Sequence, residues 1–260
     1  MDRPRPRARA ARLMAVHRFY APDASSAGMT VMLPSGEAHQ LRRVLRLCAG
    51  ATVHVFDGHG REFVGRVDSV GRACVTVRTL EAREPAREPA VRLTLAVAVL
   101  KGRGVDSVIR DATMLGAAAI RPLSTDRSRL VAPAHADSTV SRWQAIAVSS
   151  AKQCRRAVVP LVHDIVSLQQ LVSESSSDLN LLLVEPALGV LHESIGALAE
   201  RSAPASATIA VGPEGGWTED EVTTAAAAGF VLLMLGSRTL RADAAPAAAI
   251  SVLQYVWGDL

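Results

Sequence analysis

The chain has 260 residues, a formal net charge of +4, and 49% hydrophobic against 21% charged residues, which fits a folded globular protein of one large domain or two modest ones. That composition excludes disorder along the whole length, and no apolar run reaches the roughly 18 residues that a membrane span needs. Arg3, Arg5, Arg7, Arg9 and Arg12 against Asp2 carry the whole net charge, while residues 13–103 hold an excess of base and residues 104–260 an excess of acid. A basic front half fits a polyanion partner, and on charge alone it fits chance solvated charge equally well.

Aromatic residues are only 3%, so the core must come from Ala, Val, Leu and Ile. Cys48, Cys74 and Cys154 are odd in number and far apart, which argues against a disulfide framework and for a reducing compartment. No C-x-x-C or H-E-x-x-H occurs and the histidines do not cluster, so no metal is expected.

In chain order, residues 1–16 alternate Arg and Pro and read as a disordered basic tail. An organellar transit sequence is an alternative, but the segment has no serine; an upstream start, with Met14 the true first residue, is preferred. Residues 17–80 read as short strands: 17–20, 30–34, 52–57, 61–70 and 73–80, with turn chemistry at Asp57-Gly58 and Val70-Gly71. One helix interrupts them, capped by Ser35, with Ala38, Leu41, Val44 and Leu45 at helical spacing and Arg42, Arg43 and Arg46 on its polar side. Short strands with one helix suggest a small β-barrel. Residues 81–90, with two near-copies of REPA, read as a linker.

The texture then changes. Strands are expected at 91–100, 118–123, 179–185, 208–212 and 230–236. Helices are expected around Val105–Leu115 and at 138–154, 190–200, 218–228 and 242–257, with loops at 173–178 and 201–206. Apolar strands alternating with helices predict an α/β fold whose parallel sheet is covered on both faces.

Four strand-to-helix or helix-end segments carry the chemistry. Val211-Gly-Pro-Glu-Gly-Gly-Trp217 is followed by a T-x-x-E capping box at Thr218 and Glu221. Its glycines permit close backbone approach to a ligand, or merely a tight turn. Leu235-Gly-Ser-Arg-Thr-Leu-Arg241 leads into an alanine-rich helix. Lys101-Gly-Arg-Gly104, at a strand-to-helix corner, and Lys152-Gln-Cys-Arg-Arg156, at a helix end, place cations where phosphates could bind; at the helix end they could instead simply complement the helix dipole. Neither a dinucleotide nor a Walker signature is present.

Together with HRFY, HQLRRVLRL, FDG, KGRGVDSVIRDATMLG, TDRS and RWQAIA, these segments resemble the RsmE family of SPOUT methyltransferases from His17 onward. The resemblance implies methylation of N3 of a uridine in the decoding region of 16S rRNA, with S-adenosylmethionine as donor. It implies a PUA-like RNA-binding barrel at 17–84 and a SPOUT methyltransferase domain at 85–260, whose parallel sheet is threaded as a trefoil knot. It further implies a cytoplasmic homodimer that engages 16S rRNA or the assembled small subunit and needs neither membrane nor metal.

On that resemblance the cofactor-binding residues are Val184, Glu185, Gly212, Pro213, Glu214, Gly215, Gly216, Leu235, Gly236, Ser237, Arg238, Leu240, Arg241 and Ala245. Backbone N–H groups or Arg241 would stabilise negative charge on the uracil carbonyls. Asp243 and Glu214 are the candidates for the base, or else Asp243 caps a helix and Glu214 bonds loop amides. The expected RNA contacts are Arg18, Arg42, Arg43, Lys101, Arg103, Lys152, Arg155 and Arg156. Cys154 reads as a small neutral side chain. Ser237, Ala242, Asp243, Met114 and Ser149 depart from the family pattern, where Pro, Thr and three glutamates are usual. An rRNA-binding assembly factor with weakened catalysis, or a SPOUT enzyme acting on another nucleotide, are the alternatives.

Overall fold

The computed structural model describes residues 16–260 apart from Ala73 and Leu130; the expected basic tail lies outside them except for Val16. The chain divides into two compact units, one made of the residues up to Asp57 with Arg61–Arg83, the other of Gly58–Gly60 with Glu84–Leu260.

In the first unit, β1 (Arg18–Tyr20), β2 (Thr30–Met32), β3 (Thr52–Phe56), β4 (Glu62–Val70) and β5 (Val75–Arg83) form a curled half-barrel in the order β1-β3-β4-β5-β2. Alternation drives it: Val53, Val55, Phe63, Val67, Val75 and Val77 point inward and are buried. The strand β5 runs on to Arg83 and so takes the first residues of the expected linker.

The helix α1 (Ser35–His39) starts from Pro34, and no side chain caps it; Ser35 is its first residue, not its cap. It passes directly into a π-helical turn, Gln40–Val44, closed by the Leu45 N–H on the Gln40 carbonyl at 2.9 Å. The wider turn shifts the phase of the helix. Leu41 is therefore fully buried, whereas Val44, expected beside it, is 65% exposed.

The second unit continues with β6 (Arg92–Ala98), α2 (Gly104–Met114), β7 (Ala119–Ser124), α3 (Pro133–Cys154), β8 (Leu161–Val162), β9 (Val166–Ser167), α4 (Leu168–Glu174), β10 (Leu179–Leu183), β11 (Glu193–Ser194), α5 (Ile195–Ala199), β12 (Ser206–Val211), α6 (Glu219–Ala227), β13 (Val231–Met234) and α7 (Ala245–Val256). Its strands run in the order β11-β13-β10-β12-β6-β7-β8, with β9 also on β7, and every pairing is parallel. Leu95, Val97, Leu181, Ile209 and Val211 pack on one face with α2, α3 and α7. The intervening Ala96, Leu182 and Ala210 pack on the other with α4 and α6. Both faces being covered explains the unbroken apolar runs.

The strands β8 and β9 were not expected, α3 opens at Pro133 and not at residue 138, and two further helices depart from expectation. The helix α5 is five residues long, because Glu193 and Ser194 pair with β13 instead of joining it. The helix α4, unforeseen, begins on a capping box in which Ser167 accepts from the Gln170 N–H and the Gln170 side chain accepts from the Ser167 N–H. The box read from sequence at Thr218 is present. Thr218 Oγ1 accepts from the Glu221 N–H at 3.2 Å, and Glu221 Oε2 accepts from the Thr218 N–H at 2.8 Å. Thr218→Ala should therefore cost about 1 kcal/mol in urea denaturation, while Ser202→Ala, in an exposed loop, should cost nothing measurable.

Candidate active site

Four neighbouring strands, β13, β10, β12 and β6, end at the same edge of the parallel sheet. Their carboxyl-terminal loops enclose a cleft of about 520 Å³. Such an edge is where open α/β sheets place ligands, because side chains and free backbone groups converge there.

From β12 come Gly212, Pro213, Glu214, Gly216 and the buried Trp217. The indole lies against Gly212, where a Cβ would stand 3.0 Å from Cε2, and its N–H donates to the Leu183 carbonyl at 2.9 Å. The aromatic ring thus ties the end of β12 to the end of β10. Gly216 has φ +69°, and a Cβ there would approach Glu185 Oε1 to 3.1 Å. Only glycine meets both demands, and the Glu185 carboxylate stays at the cleft wall beside it. From β10 come Leu183, Val184, Glu185 and Pro186; from β13 come Leu235, Gly236 and Arg238 through Asp243, with Ala245 opening α7.

Of the expected cofactor residues, all but Gly215 and Ser237 line this cleft. Gly215 faces Arg127 instead. Leu100, Lys101, Gly104, Leu183, Pro186, Val211, Trp217, Thr239 and Ala242 also line it and were not expected there as cofactor residues. Leu100, Lys101 and Gly104 come from the β6–α2 corner, which the KGRG motif signalled only as a cation cluster.

The three expected catalytic residues all reach the cleft. Arg241 Nε and Nη2 donate to the two Asp243 oxygens, each at 3.1 Å, a bidentate pair whose guanidinium is 85% exposed. Asp243 does not cap α7: the N-cap is Ala244, with no side-chain bond. Glu214 Oε1 accepts the Lys101 N–H at 3.0 Å and so straps the β12 loop to the β6 corner.

The expected RNA contacts separate into two sets. Arg43, Lys101, Arg103 and Arg155 are exposed. Lys152 is half-buried in the last turn of α3, and Arg42 is half-buried and donates to the Gly71 and Arg72 carbonyls. Arg18 and Arg156 are corrections. The Arg18 side chain is 8% exposed, pairs with Glu62 at 3.0 Å and stacks 3.8 Å above the Phe56 ring centre. The Arg156 side chain is 6% exposed, pairs with Glu88, and donates to the Thr113 carbonyl at 2.6 Å and the Ala117 carbonyl at 3.1 Å. Both charges are spent inside their own unit. Sequence shows the charge but not its burial.

A second cavity, about 330 Å³, is lined by Thr94, Arg121, His163, Glu174, Ser175 to Ser177 and Thr208. Burial, and then the Arg121 charge, hold His163 below the usual imidazole range, with Asp164 pulling the other way. None of the expected site residues borders it. Cys48, Cys74 and Cys154 are all free. Among the described residues, no three His, Cys, Asp or Glu side chains are grouped to hold a metal ion, and no helix is long and apolar enough to cross a membrane.

Comparison with known proteins agrees with this geometry. Residues 87–254 match the RNA methyltransferase domain family. A ribosomal RNA small subunit methyltransferase E from Synechocystis is 35% identical over 228 residues, covering 85% of this chain and 72% of its own. The crystal structure of a methyltransferase E from Neisseria gonorrhoeae, bound to S-adenosyl methionine, superposes with a TM-score of 0.85 at 31% identity, over 94% of this chain and 99% of that one. A Legionella pneumophila protein solved with its bound cofactor SAM gives the same TM-score at 29% identity, over 92% and 97%. With the matched family spanning the entire cleft-bearing sheet and such relatives spanning most of both chains, this protein belongs to the RsmE family of ribosomal RNA small subunit methyltransferases.

Proposed function

We propose that this chain transfers a methyl group from S-adenosylmethionine to N3 of a uridine in 16S rRNA, presented free or within the small subunit. The observation that carries the reading is the cleft itself, built from four loops at one sheet edge in a chain related to SAM-bound methyltransferases. Its volume lies within the roughly 300–1,000 Å³ usual for small-molecule sites. Leu183, Val184, Leu240 and Ala245 offer an apolar bed for an adenine. The Glu185 carboxylate, kept clear by Gly216, offers acceptors to ribose hydroxyls. The remaining cofactor contacts fall to the Gly212–Gly216 and Leu235–Arg241 loops, with Gly215 and Ser237 acting on loop shape.

Bound there, the cofactor supplies an electrophilic methyl group on a sulfonium. The chain supplies alignment, for which oriented encounter is worth about 7–11 kcal/mol. Arg241, fixed in direction by its fork on Asp243, presents a cation at the cleft mouth that stabilises negative charge on the uracil carbonyls as N3 gives its proton to solvent water. In this reading Asp243 orients Arg241 and Glu214 secures the loop.

The proposal includes a PUA-like RNA-binding domain at 17–84, a SPOUT domain at 85–260 whose chain threads a trefoil knot, and a cytoplasmic homodimer with α7 at its contact. The test is incubation of 16S rRNA and of small subunits from a strain lacking the gene with the protein and methyl-labelled S-adenosylmethionine. Mass spectrometry should find a single N3-methyluridine. Label at another atom or nucleotide would refute the assignment.

The exposed cations predict that RNA affinity falls steeply with salt. Arg43→Ala should lower the slope of log affinity on log salt by about one phosphate contact. Arg18→Ala should leave that slope unchanged in protein that remains folded.

A further inference from the structure

The turn that joins β7 to the rest of its unit, Thr125–Ser128, grips the glycine loop of the cleft from outside. Arg127 Nη1 donates to the Gly215 carbonyl at 2.9 Å and to the Trp217 carbonyl at 3.3 Å. Its stem lies on Gly215 so closely that a Cβ there would stand 3.0 Å from the Arg127 Cβ. The neighbouring Asp126 N–H donates to Glu221 Oε1 at 3.0 Å, which leaves Oε2 of the same carboxylate for the Thr218 N–H. The turn is itself held in shape: Ser128 Oγ accepts the Thr125 N–H at 2.9 Å and donates to the Thr125 carbonyl at 3.0 Å.

We propose that Arg127 is a positioning residue for the cofactor. It does not line the cleft and touches nothing that reacts. By holding two carbonyl oxygens on the outer side of the loop, it fixes the path of Gly215, Gly216 and Trp217. Gly216 in turn keeps its place beside Glu185 on the inner side. Without this clasp the loop samples other paths, and the cofactor must bear the cost of ordering it on binding. The exposed position of Arg127 separates this role from fold stability. Two charge-assisted bonds at a solvent-facing loop contribute little to the melting temperature, yet they set the fraction of molecules with a competent loop.

The inference rests on S-adenosylmethionine occupying this cleft, and calorimetry on the full chain separates the two ideas. If the wild-type protein binds no S-adenosylmethionine, the occupancy reading fails first. If it does bind, Arg127→Ala should weaken the affinity about tenfold or more with the melting temperature nearly unchanged, and Arg127→Lys, keeping the stem and a donor, should recover part of it.

A second pair of variants reads the same contact from the other side. Gly215→Ala drives a methyl group into the Arg127 stem and should weaken cofactor affinity alone. In the Arg127→Gly background, where the Cβ at 3.0 Å and the rest of the stem are gone, the same substitution should have almost no further effect. Wild-type affinity in Arg127→Ala, or fully additive losses in the double variant, would overturn the proposal. A general fall in melting temperature that tracks the affinity loss, without recovery by lysine, would also overturn it.

Discussion

Arg241→Ala should lower kcat by about 10²–10³, the loss expected when one preorganised donor to a developing anion is removed. The guanidinium is 85% exposed and its protein partner is Asp243 two residues away, so unfolding free energy should stay within about 0.5 kcal/mol of the parent. Asp243→Asn should cost less than Arg241→Ala, because it frees the direction of the arginine without removing it. Single-turnover kinetics with saturating RNA and cofactor measure this directly. An Arg241→Ala enzyme with normal kcat and a raised KM for RNA would show the residue to be a binding contact.

The other large effect belongs to a residue far from chemistry. Arg156→Ala should destabilise the second unit by about 3 kcal/mol, read as a fall in urea midpoint at constant slope. The substitution leaves the Ala117 carbonyl without its Arg156 donor, the Thr113 carbonyl with the Gly116 N–H but not the guanidinium, and Glu88 without its counter-charge. Glu88 is 31% exposed, so water recovers part of the electrostatic loss and the figure is set below the usual range for a fully buried pair. Unchanged stability with weakened RNA binding would restore Arg156 to the RNA surface.

Local chemistry makes much of the architecture legible in the sequence. The Thr218–Glu221 box depends on residues three apart, and its helix begins where the sequence says. The glycine loops after β12 and β13 stand between an apolar run and a helix, so their place at a sheet edge follows from pattern. Pro246 sits in the first turn of α7, where its missing N–H has no helical partner to lose. What escapes depends on distance along the chain. Glu214 meets the Lys101 amide across 113 positions, and Arg127 meets Gly215 across 88. No periodicity encodes such pairings. The same blindness puts Arg18 and Arg156 on the surface. The helix α4 is different: Ser167 and Gln170 spell a capping box as plainly as Thr218 and Glu221 do, and the short apolar run behind them conceals it.

The cleft draws on Leu100, Leu183, Val211 and Leu235, and on the loops that follow each of them. During synthesis the last of these segments leaves the ribosome only when the domain is almost complete, and the strand that carries it must dock against β10, made some 50 residues earlier. Donor capture therefore requires that β13 has docked beside β10. A molecule whose β13 is undocked lacks one wall of the cleft, and donor binding to the complete cleft adds stability that grows with the logarithm of donor concentration, the metabolite tying the β13 loop to strands made earlier.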